Sequence, residues 1–134
     1  MYMDVHVMVF VGFGFLMVFL KSYSWSAVGM NYVIAAWSLL VCILTGAFWH
    51  QVMKEYPRSG IPFDKEPVDL KTLIFLSEFG SAAVLITFGA LLGKCNFFQL
   101  WCLATIEVCF YSLNEAIIIN VFYAIDVGGA MTIH

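Results

Sequence analysis

Charge is what this sequence has least of. Only 11% of its 134 residues are Asp, Glu, Lys or Arg, against about a quarter in soluble domains, and 63% are hydrophobic, against about half. That balance excludes an ordinary soluble fold. The net charge is −3 and the 6 basic residues form no cluster, which excludes a nucleic-acid surface and a polybasic lipid anchor. Cysteine is sparse and unpaired: Cys42, Cys95, Cys102 and Cys109 form no C-x-x-C motif. Cys102 and Cys109 lie in an apolar segment and read as core or lipid-facing groups, not as metal ligands or a disulfide. No asparagine stands in an Asn-x-Ser/Thr sequon. Residues Met1 to Asp4 carry no positive region of the signal-peptide kind, so the apolar run behind them reads as a retained helix. Nucleophile elbow, phosphate loop and His-Glu-x-x-His motif are all missing, so neither an enzyme nor a cofactor or metal site is expected.

What is present is a series of long uncharged runs. At about 20 residues per crossing, they predict an all-α polytopic membrane protein. The expected helices cover residues 5–20, 27–49, 72–92 and 97–123, with a fifth starting at 126. The stretch 50–71 holds all 3 prolines, Pro57, Pro62 and Pro67, together with most of the charge, and is expected to be a hydrophilic loop. Lys54, Arg58, Lys65 and Lys71 in that loop face only Lys21 and Lys94 on the opposite side, so the positive-inside count puts the loop in the cytoplasm.

An ionisable group in hydrocarbon costs about 2.5 to 3.5 kcal/mol on insertion scales, so each one within a crossing is a functional candidate. Eight residues at ~1.5 Å each carry His134 about 12 Å past Asp126, close to the midplane of a ~30 Å core. A neutral imidazole there can donate with one ring nitrogen and accept with the other, as a dehydrated polar solute needs. Asp126, Ala130 and His134 follow one helical face, and Gly128 and Gly129 keep the segment slim enough for a solute or a neighbouring backbone. The plainer reading of this stretch is a packing interface.

Glu78, with Phe79 beside it, and Glu115 fall on the same membrane side as Asp126 if the crossings alternate. Three carboxylates on one side suggest a cation-concentrating vestibule; separately solvated interfacial acids are the plainer reading. Glu107, deeper, is expected to be structural and hydrogen-bonded to a helix neighbour such as Asn114. His6 is expected to sit at an interface, and Gly89 with Gly93 to form a GxxxG packing pair.

Four stretches carry a family resemblance: Asp-Val-His-Val-Met-Val-Phe-Val-Gly-Phe-Gly-Phe-Leu-Met (residues 4–17), Phe-Gly-Ala-Leu-Leu-Gly-Lys (88–94), Asn114-Glu115 and Asp-Val-Gly-Gly-Ala-Met-Thr-Ile-His (126–134). In these, and along almost its whole length, the chain resembles Rhesus glycoproteins of the ammonium transporter superfamily. The resemblance implies a plasma-membrane channel for ammonium and ammonia, with carbon dioxide as a further candidate solute, built as a trimer of identical or related subunits. It implies that His134 is a pore histidine, Phe79 a gate phenylalanine and Asp126 the acid opening the histidine-bearing helix, with Glu78 and Glu115 as vestibule acids. Ala130 stands where the family usually has serine. The resemblance also implies that the long loop is external, against the charge count. Residues 1–134 would then form a partial ammonium transporter domain, most of the first of two inverted repeats. Such a length is expected to work within a longer subunit; the alternative is a truncated, nonconducting subunit that packs with full-length relatives.

Overall fold

The computed structural model describes residues 2–19, 25–55, 70–122, 124 and 133. Within them every regular element is helical, with no strand. The first rod consists of α1 (Tyr2–Val7), a π-helical stretch (Met8–Gly12) and α2 (Phe13–Phe19). Then come α3 (Trp25–Glu55), α4 (Leu70–Leu91) and α5 (Phe97–Asn120). Three of these helices are long and apolar enough to cross a membrane, and the first rod is a shorter apolar helix.

Helix α3 has 31 residues, about 46 Å at ~1.5 Å per residue, and so exceeds a ~30 Å hydrocarbon core. The expected end at Trp49 marks where apolar sequence gives way to polar. The helix itself continues to Glu55, because Gln51, Met53, Lys54 and Glu55 are good helix formers whose backbone bonds do not depend on the membrane. Pro57 follows two residues beyond Glu55, and the residue before a proline disfavours helix.

The turn between α4 and α5 is built by two local devices. Gly93 adopts φ 79°, a left-handed conformation that glycine reaches without steric cost, and the Lys94 amide donates to the Leu91 carbonyl at 3.0 Å. Gly93 thus ends α4 and does not pack a helix pair as expected. Asn96 opens α5 with a reciprocal cap in which its own amide donates to Gln99 Oε1 at 3.0 Å. Gly89, the other expected packing glycine, does face a neighbour: a Cβ there would meet Met17 Cε of α2 at 3.1 Å.

Helix α3 packs against both α4 and α5, with the first rod laid along α3 and touching α4. The core at their junction includes Ile34, Ala35, Val84, Leu85, Phe88 and Val108. Gly80 sets the closest approach: a Cβ there would sit 2.6 Å from Cys42 Sγ and 3.0 Å from Tyr111 Cε1. Large apolar side chains point outward instead, among them Leu44 at 71% and Phe110 at 68% exposure, as suits a surface whose solvent is lipid. Of the cysteines, Cys42 is buried in the core, Cys102 and Cys109 are on the outer face, and Cys95 lies in the α4–α5 turn; all four are free thiols.

Candidate functional site

The first rod and α4 meet at a charged contact. Glu78 is fully buried, and its Oε1 lies 2.7 Å from His6 Nδ1, with His6 itself 43% exposed. Five residues of π-helix follow directly after α1, and π-bulges are frequent at functional sites. Asn31 of α3, itself buried, reaches back to this stretch and donates from Nδ2 to the Phe10 carbonyl at 3.4 Å. His6 also stacks near Phe10, with ring centroids 4.6 Å apart. The residue expected at an interface is therefore the partner of a buried acid, and Glu78 is braced inside the bundle. Its second oxygen is buried without a hydrogen-bond partner among the described residues.

Phe79, one residue on, projects to a different face of α4. It is half-buried and meets Phe75 edge to face, with centroids 5.0 Å apart. Glu115 is also half-buried, five residues before the end of α5, beside a small cavity between α3, α4 and α5. Helix direction places Glu78, Phe79 and Glu115 in the halves of α4 and α5 nearest the 50–71 stretch. The structure thus puts these three at one end of the bundle, while separating Glu78, which faces the first rod, from Glu115, which faces α3. Asp126, Gly128, Gly129, Ala130 and His134 lie outside the described residues. Ile133 is described, and it packs partly buried against the hydrophobic core.

Glu107 finds its partner across the helix interface, not along its own helix. Thr87 Oγ1 of α4 donates to its Oε1 at 2.5 Å, whereas Asn114, the expected neighbour, is exposed. The structural role holds with a different partner, because the i+7 side chain lies on the exposed face of α5 while Thr87 stands opposite Glu107 in α4.

A seam of hydroxyls lies between these charged groups and went unread in the sequence, where attention falls on ionisable residues. Ser38 and Ser81 bond each other at 2.9 Å, and Ser81 also donates to the Ala35 carbonyl at 3.1 Å. Further toward the 50–71 end, Thr45 and Ser112 bond at 2.7 Å, and Cys42 Sγ lies 3.7 Å from Ser112 Oγ. Every hydroxyl of the seam is buried or half-buried. A signal was available: Ser77 and Ser81, like Ser38 and Cys42, are spaced i, i+4, which stacks small polar groups on one helical face. On the other side of α3, Trp37 Nε1 donates to Thr105 Oγ1 of α5 at 2.9 Å, and its ring lies 4.9 Å from that of Trp101. These bonds supply glue between helices that apolar packing alone, in lipid, would not give.

No family model matches the chain. It is 44% identical over 133 residues to ammonium transporter Rh type B of Danio rerio and to that of Xenopus tropicalis. It is 39% identical over the same length to ammonium transporter Rh type C of Canis lupus familiaris. Each alignment covers 99% of this chain and 27% of the relative, so the chain spans about a quarter of the length of these proteins. With three membrane-length helices and transporter homologues, it is a multi-pass membrane protein.

Proposed function

This chain is homologous to the Rh-type ammonium transporters, and from that premise we propose that it contributes the outer half of an ammonium-to-ammonia conducting path within a longer subunit. The alignment over 99% of the chain carries the reading. Glu115, beside a small cavity, and Asp126 attract the cation at the mouth. Glu78, anchored by His6, adds negative potential just behind Phe79, which gates the entrance. Ammonium gives up its proton there to water on the side from which it entered, and crosses as neutral ammonia. Gly128 and Gly129 make room for the solute, and His134 replaces the water contacts it has shed. Desolvating a neutral molecule costs a few kcal/mol where an ion costs roughly tens, and this difference rejects sodium and potassium. The subunit assembles as a trimer in the plasma membrane, with the 50–71 stretch outside and carbon dioxide as a further candidate solute.

Reconstituted into vesicles, the full-length protein should give rapid internal alkalinisation under an ammonia gradient, and His134→Ala should abolish it. Unchanged alkalinisation in that variant would overturn the role of His134. Absence of flux in the unsubstituted protein, with tight copurification of a longer relative, would favour a nonconducting packing subunit instead.

A further inference from the structure

The cavity beside Glu115 measures about 30 Å³ and lies between α3, α4 and α5. Most of its surface is apolar, with Leu73, Leu76, Ala116 and Ile119 in the lining, and its polar groups come from Cys42, His50, Ser77, Ser112, Glu115 and Asn120. A cavity of ~10 to 15 Å³ or more on this measure admits a water molecule, provided that two to four polar partners surround it; purely apolar cavities stay dry. This one has room for two at most, and it has the partners.

The hydrogen-bond inventory points to what the cavity takes. Glu115 is an acceptor, and no group among the described residues donates to it. Ser77 Oγ donates its proton to the Leu73 carbonyl at 2.7 Å, which leaves only lone pairs for the cavity. Ser112 Oγ is already engaged by the Val108 carbonyl at 2.9 Å and by Thr45 at 2.7 Å. Asn120 Nδ2 gives one of its two hydrogens to the Ala116 carbonyl at 2.8 Å, which leaves a second donor hydrogen, and the His50 ring also lines the cavity. The walls therefore combine acceptors with the donors of Asn120 and His50, a set that water, which both donates and accepts, can bridge. A half-buried carboxylate at this depth leaves an expensive polar group unless donors reach it.

We propose that this cavity is a structural water site, in which one or two ordered water molecules donate to the Glu115 carboxylate and to the Ser77 and Ser112 hydroxyl oxygens, joining α3, α4 and α5. The site shares Glu115 with the proposed mouth but stands apart from the Phe79 face of α4, and its occupancy by water does not depend on the transport reading. Its water joins directly to the Thr45–Ser112 hydroxyl pair, so the polar seam ends in a hydrated pocket and not in a dry core.

Cys42 reports on the site from within. It lines the cavity yet is only 2% exposed, while Cys102 and Cys109 face outward along the membrane-crossing part of α5. The full chain in lipid nanodiscs, in buffer free of ammonium, would be exposed to microsecond X-ray pulses, which generate hydroxyl radicals from water in place. Oxidation of each cysteine is then read by mass spectrometry. Cys42 should oxidise several-fold faster than Cys102 and Cys109, and Ser77→Val, which fills the cavity with methyl groups, should remove that excess. Oxidation of Cys42 no faster than the two lipid-facing thiols in the unsubstituted chain would overturn the proposal, whether or not the variant folds. Equal oxidation of Cys42 by peroxide-generated radicals arriving from bulk would overturn it too, by showing an open crevice in place of a bound-water site.

Discussion

The pairing of His6 with Glu78 shows how a single residue becomes tolerable in a membrane. A carboxyl group with no exposure needs a partner, and the imidazole 2.7 Å away supplies it from another helix. Truncating one member leaves the other's polar atoms bare, at a cost of about 1 to 3 kcal/mol, whereas replacing both with apolar groups of similar shape approaches neutrality. His6→Leu alone should therefore lower the unfolding free energy in mixed micelles by that amount, and His6→Leu with Glu78→Leu should recover much of it. Additive losses in the double variant would show that the contact carries no coupling. The histidine was visible in the sequence, but its partner was not: the two are 72 positions apart, and no periodicity links separate helices.

At the scale of helices, the sequence spoke clearly about existence and less clearly about ends. Apolar length marked α3, α4 and α5, because burying backbone in lipid demands helix whatever the side chains prefer. Helix α3 runs at least to Glu55, six residues past the expected apolar end at Trp49, since hydropathy reports where the membrane stops and the helix answers to backbone bonding. How the helices meet rests on small residues that hydropathy treats as featureless. Gly80 is the sharpest case, with Cys42 Sγ and the Tyr111 ring both inside the volume of an added methyl group. Gly80→Ala should destabilise the bundle by about 1 to 3 kcal/mol through overpacking. Combining it with Cys42→Ala removes the closer of the two clashes, so thermal unfolding of the pair should show a smaller loss than the two single changes added together. An additive result would place the strain on Tyr111 alone.

For the whole molecule, the decisive feature is which surfaces meet water and which meet lipid. Cys95 lies in the α4–α5 turn, at the end opposite the 50–71 stretch, and Cys102 and Cys109 lie on the outer face of α5. A membrane-impermeant maleimide should label Cys95 and leave Cys102 and Cys109 unmodified. With the 50–71 stretch outside the cell, that labelling should require permeabilisation of the membrane. Labelling of Cys95 in intact cells would reverse the orientation and favour the positive-inside count over the family resemblance.

The sequence alone determined that this is an all-helical membrane protein, because so few charges over so many apolar residues leave helices as the way to bond the backbone within lipid. Its matching stretches also carried the kinship that alignment bears out over 99% of the chain. Only the tertiary structure decided how the buried polar groups are satisfied. Glu78 turns to His6, Glu107 to Thr87 and not to Asn114, and Gly93 ends a helix where a packing role was expected. The physical reason is the same in each case. Hydropathy and spacing are properties of one segment, whereas hydrogen-bond partners and close approaches are chosen between segments, by how α3, α4, α5 and the first rod rotate against one another.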